Sequence, residues 1–455
     1  MLMKGSRPLV TLCQLAMVAF TVTDMLLGQR WSAWATAAAA ALFISAEFTR
    51  APIGIRRTSV VLVAITLALL PLLDHPGAAL ERGIRIGGLI SSLLLSIALL
   101  SRAALRVTRV REVVGALFRL PADRRFTALT VASQFFGGFL GLAGITMMME
   151  MASQVSMDSQ DEKLACYGAI SRGYAAANLW SPMYSNVSIL LAISPGLRWT
   201  TVFPSALLLA CASLLLGLGL NGWTTRRATP APAGGASLST LARPSWPIIV
   251  CMMLFLSIAV GVSRSANVPV AASIIVFAPI AAWSLNVALA GLAHGGRQLL
   301  GDLGSFRSLV GEVMLFLVSG CAGTVIAGAM PTTWTSFITT GLASFPVLGC
   351  LFLTASVVLL SCTSVHPMLS GIVVATGFPA SALGLTPTVH VLAVLTGLGL
   401  AVIMTPFSVI SLMASRFSGV PLLTISVRAN LGYVALCGVL SSLILGGMNG
   451  WFQHG

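Results

Sequence analysis

The chain has 455 residues, of which 57% are hydrophobic and only 8% charged, and its mean hydropathy is +0.95. Soluble proteins carry about 25% charged residues, so a water-soluble globule, a disordered chain and a secreted disulfide scaffold are excluded. Lys and Arg number 26 against 12 Asp and Glu, a net charge of +14. In a membrane protein this excess gathers in cytoplasmic loops, so no nucleic-acid partner is expected. The eight cysteines lie singly in apolar segments, and no metal site or cofactor is predicted. The composition predicts an all-α polytopic membrane protein.

Eleven apolar runs are long enough to cross a bilayer, which takes about 20 residues. They are predicted at 8–27, 31–49, 59–77, 84–102, 164–192, 199–221, 246–263, 268–289, 309–329, 388–415 and 427–449. The first follows Lys4 and Arg7 without a small-residue cleavage site, so we expect a retained helix. Two further apolar stretches, 127–157 and 347–380, are predicted to enter the bilayer halfway and return as re-entrant hairpins.

The distribution of basic residues sets the orientation. With the N-terminus in the cytoplasm and both hairpins non-spanning, twenty Lys and Arg face the cytoplasm and five face outward. If 127–149 crossed the bilayer instead, six of the cytoplasmic residues would move outside. The expected location is the cell membrane, as for a bacterial inner-membrane protein, with the C-terminus outside.

Residues 222–245 are rich in Pro, Gly, Ala and Ser and show no apolar period, which predicts a flexible cytoplasmic linker. The linker separates an N-terminal repeat with an extra first helix, 1–221, from a C-terminal repeat, 246–455. Each half contains a predicted interfacial arm. The first, 103–120, has arginines on one helical face, whereas the second, 330–346, is uncharged.

The halves match most closely around a proline inside an apolar segment. Ser181-Pro182 in 164–192 recurs 224 residues later as Thr405-Pro406 in 388–415, and each half ends in Asn-Gly-Trp. Counting spans places the matched elements in opposite orientations, an inverted-topology repeat that is common in secondary transporters.

A proline inside a membrane helix frees backbone carbonyls, which must be satisfied by protein or by a cavity. Such a broken helix offers carbonyl oxygens to a cation and helix N-termini to an anion, although a simple proline kink is the alternative. The predicted substrate- and ion-binding residues are Thr146, Ser181, Pro182, Ser185, Asn186, Ser361, Thr363, Ser364, His366, Thr405, Pro406 and Ser408.

Three ionisable residues are expected at membrane depth, where such groups are rare and usually functional. Glu150 is either a proton-coupling or cation-binding carboxylate or a residue of the cytoplasmic edge. His366 either binds an anionic substrate or shuttles protons, or is satisfied by a neighbouring carbonyl. Arg172 is expected to be structural, pairing with Glu150 or extending to the cytoplasm.

An interfacial arm, a hairpin, a broken helix and a closing helix, repeated in inverted orientation, resemble the divalent anion:sodium symporters and the wider ion transporter superfamily. Those proteins carry Ser-Asn-Thr at each hairpin tip. Ser361-Cys362-Thr363 is similar at two of three positions, and Gly144-Ile145-Thr146 is the nearest stretch in the first hairpin. The resemblance implies an elevator motion of hairpins and broken helices against a scaffold, and a homodimer.

The first functional hypothesis is a secondary active transporter of a small solute, an organic anion such as a carboxylate, driven by a Na⁺ or proton gradient. No GxxxxGK[ST] loop indicates an ATP motor. The alternatives are a membrane subunit of a multi-component transporter, a membrane-embedded transferase, and a helical assembly partner. Asp74, His75, Glu81 and Arg82 form no recognisable acid–base constellation, so the chain is not predicted to be an enzyme.

Overall fold

The computed structural model describes residues 6–157, 159–225, 238–363 and 365–454, and every regular element in these ranges is helical. The helices are α1 (Ser6–Leu27), α2 (Arg30–Glu47), α3 (Ile53–Leu69), α4 (Pro76–Leu105), α5 (Thr108–Leu117), α6 (Ala122–Ser153), α7 (Gln160–Trp180), α8 (Ser185–Ile193), α9 (Trp199–Thr225), α10 (Leu238–Ser265), α11 (Val270–Gly304), α12 (Val310–Gly328), α13 (Thr332–Leu342), α14 (Pro346–Cys362), α15 (Pro367–Gly377), α16 (Pro387–Met404), α17 (Val409–Ser418) and α18 (Ala429–His454). Half of the predicted linker, 226–237, lies outside the described residues, and its described flanks, predicted as flexible, belong to α9 and α10.

Nine stretches of the described chain are long and apolar enough to cross a membrane, compared with the eleven expected from the sequence. One of the nine, Val270–Gly328, contains both α11 and α12, and another lies in α6. Two expected spans fall outside this set. One is the span at α2, which is built largely of alanine. The other is the span at α7, which has Asp161, Glu162 and Lys163 in its first turn and also contains Arg172. The multi-pass helical architecture is confirmed.

The helices form two compact units, each with its own packing. Unit 1 comprises 1–103, 188–193 and 256–335. Inside it, small residues let α4 and α12 approach backbone to backbone, since a Cβ added to Gly87 would lie 2.6 Å from the Leu317 Cα. Close approach through small residues is the usual way in which membrane helices associate.

Partly buried ion pairs link the helices of unit 1 near their ends. The Arg85 guanidinium lies 2.6 Å from Asp24 and 3.0 Å from Glu81, and Arg30 also contacts Glu81 at 3.0 Å. In a separate group, Arg307 contacts Glu47 at 2.8 Å. Neither group was predicted from the sequence, because Arg85 lies 61 positions from Asp24 and Arg307 is still farther from Glu47.

Unit 2 comprises 104–187, 194–255 and 336–455, and holds every predicted hairpin and both predicted broken helices apart from residues 188–192. In this unit α6 packs along α7, and α14 packs against α15, α16 and α18. Gly397 of α16 lies close to α14, where a Cβ would come within 2.9 Å of the Thr354 carbonyl oxygen.

Two of the long helices reverse direction at a glycine. Gly141 in α6 has φ +56° and ψ −138°, and a Cβ added to Gly144 would lie 2.8 Å from the Phe136 carbonyl oxygen. Residues eight apart in a straight helix are separated by about 12 Å, so the chain turns back at Gly141. Two limbs with a glycine turn therefore lie within the predicted hairpin 127–157.

α11 turns in the same way at Gly291, where φ is +77°, and Gly295 returns to the backbone of Val287. This second reversal was not among the hairpins expected from the sequence. Only glycine adopts both backbone conformations without strain, so each turn depends on the absence of a side chain.

The close contact of α16 with α14 leads to a stability prediction. Replacing Gly397 with Ala should lower the free energy of unfolding by about 1–3 kcal/mol, because the new methyl group meets a main-chain carbonyl that cannot move away easily. Reversible unfolding of the purified protein in mixed SDS micelles measures this change. Gly432→Ala is the matched control, since no atom lies within 4 Å of a Cβ there. Equal stability of the two variants would contradict the packing.

Candidate functional site

The first break in a helix occurs where α7 ends at Trp180. Ser181 leaves the helix with φ −75° and ψ 123°, and α8 begins at Ser185. The buried Ser181 hydroxyl donates to the carbonyl oxygen of Gly138 in the first hairpin. The Ser181 Oγ also accepts the amide of Met183 at 3.2 Å. The Ser181 side chain therefore links the break to the hairpin and also caps the turn that contains Pro182.

The second break, after α16, uses the same arrangement. Thr405 leaves the helix with φ −74° and ψ 134°, and its hydroxyl donates to the Ser361 carbonyl oxygen at 2.8 Å. It accepts the amide of Phe407 at 3.2 Å. Ser408 then caps α17, accepting the amide of Ser411 at 3.0 Å.

Further contacts recur at a spacing of 224 residues. A Cβ on Gly173 would meet the Thr130 carbonyl oxygen, and one on Gly397 would meet the Thr354 carbonyl oxygen. Each residue of the second pair follows its counterpart in the first by 224 positions. The equivalence between the halves therefore extends from the prolines to the packing of broken helix on hairpin.

Some equivalent positions also contact each other. A Cβ on Gly399 of α16 would lie 2.8 Å from the carbonyl oxygen of Ala175 in α7, 224 residues earlier. The Cys437 thiol and the Ser213 hydroxyl, with the same spacing, lie 3.1 Å apart. Both pairs line one small cavity in unit 2.

The remaining predicted residues of the first half lie on either side of the break. Asn186 is buried, and its amide donates to Asn178 Oδ1 at 2.9 Å across the break, while Ser185 is half-buried. Thr146 lies on the return limb of α6, where its hydroxyl bonds to the Leu142 carbonyl oxygen at 2.8 Å. The carbonyl that meets Ser181 belongs to Gly138 on the other limb, not to the expected stretch 144–146.

The remaining described residues predicted in the second half, Ser361, Thr363 and His366, lie at the end of α14 or just before α15. Thr363 is exposed and donates to the Leu360 carbonyl oxygen at 2.7 Å. Ser364 lies outside the described residues. His366 caps α15, its Nδ1 accepting the Met368 amide at 3.3 Å. The Ser361 hydroxyl reaches Ser370 at 3.2 Å and the Val357 carbonyl oxygen at 2.7 Å. The Ser361 carbonyl oxygen lies in the last turn of α14, where no helical amide follows to bond it, and it accepts the Thr405 hydroxyl.

Aromatic residues surround the first break, a feature that the sequence analysis missed. The rings of Tyr174 and Tyr184 are 5.1 Å apart, and Trp180 packs 6.0 Å from Phe139. A Cβ on Gly138 would come within 2.9 Å of the Trp180 ring, so a glycine is needed for the hairpin to approach this wall. The aromatic residues gave no signal because they are scattered along the sequence.

Arg172 and Asn430 stabilise the end of α16. The Arg172 Nε donates to Asn430 Oδ1 at 3.3 Å, and its guanidinium lies 5.0 Å from the centre of the Tyr433 ring. The Asn430 amide reaches the carbonyl oxygens of Ile403 at 3.3 Å and Ile425 at 3.0 Å. These partners of Arg172 lie on α18, which neither expected alternative included. Glu150 is exposed near the end of α6.

The groups gathered at both breaks are neutral hydroxyls, amides and main-chain carbonyls. Among the described residues, no set of three or more His, Cys, Asp or Glu is placed to hold a metal ion. Oxygen ligands of this kind suit a hard monovalent cation, and helix N-termini suit an anion.

The described helices define a multi-pass membrane protein with helices interrupted in the apolar region. The fold is similar to that in a crystal structure of the YdaH transporter of Alcanivorax borkumensis, which is described as having an unusual topology. The TM-score is 0.58 at 15% sequence identity, and the match covers 86% of this chain and 98% of the other. No protein-family model and no curated protein matches the chain. The similarity concerns the fold.

The bond from Thr405 to the hairpin gives a second prediction. Thr405→Val keeps the shape but leaves the Ser361 carbonyl without its donor, which should lower the free energy of unfolding by about 1–3 kcal/mol. Thr405→Ser keeps the hydroxyl and should remain near the wild type. Unfolding in mixed SDS micelles compares the three proteins, and equal stability of the Val and Ser variants would contradict the bond.

A double-mutant cycle on Arg172 and Asn430 gives a third prediction. Because the two side chains share one hydrogen-bond network, the loss in Arg172→Met/Asn430→Leu should be smaller than the sum of the single losses by about 1 kcal/mol or more. The same unfolding assay measures all four proteins. Strictly additive losses would show that Asn430 supports α16 without Arg172.

Proposed function

We propose that this protein is a secondary active transporter of a small organic anion such as a carboxylate, coupled to a Na⁺ or proton gradient. The observation that carries the proposal is the pair of broken helices, each joined to a hairpin carbonyl by a hydroxyl, at Ser181 and Thr405. Paired interrupted helices in corresponding positions of two halves mark the substrate and ion site in secondary transporters.

An inverted repeat is supported by the contacts between equivalent positions. Where two copies of a structure are related by a two-fold axis, residues on the axis contact their own counterparts. Gly399 approaches Ala175, and Cys437 contacts Ser213, in each case across the 224-residue spacing. We infer that the axis passes between α7 and α16 and between α9 and α18.

An elevator motion is supported by the distribution of these elements between the units. The hairpin of α6, the helix pair α14–α15 and the two breaks all belong to unit 2. A movement that carries the site across the membrane requires its parts to travel together. In this proposal unit 1 supplies the scaffold, and the protein forms a homodimer like the symporters it resembles.

Orientation and location complete the proposal. The protein lies in a bacterial inner membrane with its N-terminus in the cytoplasm, and the hairpins of α6 and α14–α15 enter the bilayer from opposite sides. Neutral oxygen ligands at both breaks favour Na⁺ as the coupling ion, whereas coupling to protons would need a titratable carrier such as Glu150 or His366. Substrate carboxylate would meet the N-terminus of α8 or α17.

Flux measurements test the proposal. In reconstituted vesicles, [¹⁴C]succinate serves as the probe for carboxylates, with an inward gradient of Na⁺, of protons or of neither. We expect uptake that requires one of the two gradients. Substituting Ser181→Ala together with Thr405→Val should reduce this uptake by about tenfold or more, since two buried bonds that shape the site are lost.

Thr66→Val is the matched control, because its buried hydroxyl bonds only within α3, to the Leu62 carbonyl oxygen at 2.7 Å. It should retain uptake. Gradient-independent flux of a wide panel of organic anions would contradict secondary transport, and chemical conversion of lipid-linked substrates without flux would favour the transferase.

A further inference from the structure

The first interfacial arm, α5, buries its apolar face within the protein. Val110, Val113, Val114 and Leu117 are all at most 5% exposed. The arm packs on α6, and a Cβ on Gly115 would lie 3.3 Å from the Met151 side chain. Because the apolar face is occupied by protein, α5 has no hydrophobic surface left to insert into lipid.

The opposite face of α5 is cationic. Arg109 and Arg111 are exposed, as is Arg119 just beyond the helix. Within the part of the chain that the structure describes, these three guanidinium groups form no hydrogen bond or ion pair. Glu112 is the only acidic residue of the arm, so the exposed face carries net positive charge.

The second arm, α13, has the opposite chemistry. Its sequence contains no charged residue, and Trp334 and Phe337 are 70% and 84% exposed. Exposed aromatic side chains are typical of segments that sit at the membrane interface by insertion. The two arms therefore present different groups to their surroundings, one guanidinium and the other aromatic.

We propose that the exposed arginines of α5 bind the phosphate headgroups of anionic phospholipids. The apolar stretch of α4 ends at Leu105, and the apolar stretch that contains the hairpin of α6 begins at Arg124, on the two sides of the arm in the sequence. The arginines are therefore tethered at the level of the headgroups, where guanidinium groups bind phosphate oxygens in pairs. Clusters of basic residues beside a spanning helix bind anionic lipid in this way.

Lipid binding by the full-length protein tests this site. The purified protein in neutral detergent is titrated with phosphatidylglycerol or phosphatidylcholine, and bound lipid is counted by native mass spectrometry. We expect tighter binding of phosphatidylglycerol. Arg109→Gln/Arg111→Gln should weaken it by about 30-fold, since each arginine near an anionic surface contributes about fivefold. Added KCl should weaken it in the wild type.

The matched control removes two exposed arginines elsewhere, in Arg82→Gln/Arg264→Gln, and should keep the wild-type preference. An equal loss of phosphatidylglycerol binding in this control would show that net charge alone explains the binding, which would overturn the site. Undiminished phosphatidylglycerol binding in Arg109→Gln/Arg111→Gln would overturn it as well. Displacement of the lipid by millimolar inorganic phosphate would assign the arginines to a soluble anion instead. None of these outcomes depends on transport activity.

Discussion

The constraint on which unit 2 depends is the need to satisfy main-chain groups where a helix is interrupted in apolar surroundings. At each interruption one hydroxyl makes two bonds: Ser181 at the first and Thr405 at the second. Each hydroxyl accepts the main-chain amide two residues further on and donates to a carbonyl oxygen of the neighbouring hairpin. The interrupted helix and the hairpin thus complete each other's hydrogen bonding. Neither can move away alone without leaving a buried polar group unsatisfied, which costs more than an ordinary hydrogen bond contributes.

The two interruptions share this device but differ in what surrounds it. Asn178 and Asn186 bridge the first, within a wall of aromatic rings. Serine hydroxyls bridge the second, where Ser408 reaches the Val402 carbonyl oxygen at 2.5 Å, and Asn430 follows a π-helix at Thr424–Arg428. π-Helical turns often occur at functional sites because they release carbonyls from the regular pattern. The proposed repeat therefore preserves backbone geometry while its side chains diverge.

Features with a local cause were predictable from the sequence. A proline interrupts the helix in which it lies, so the interruptions near Pro182 and Pro406 could be located from the sequence. In the same way, the glycine-rich run of α6 indicated the region in which that helix turns back. Contacts made through the main chain were not predictable. Thr146 was the polar side chain expected at the first hairpin, whereas the group that accepts the Ser181 hydroxyl is the main-chain carbonyl of Gly138. Every residue has such a carbonyl, so the sequence does not indicate which one is used. Asn430 was missed because its partners are up to 258 positions away.

The pairs that meet at the inferred axis have a consequence for how this chain can vary. In an assembly of two identical chains, any residue on the axis must fit against itself. A single polypeptide with two halves is free of that demand, and here alanine lies against glycine and serine against cysteine. In the proposed repeat, fusion thus lets one side grow while the other shrinks, so complementary asymmetry can accumulate at the pairs that lie on the inferred axis.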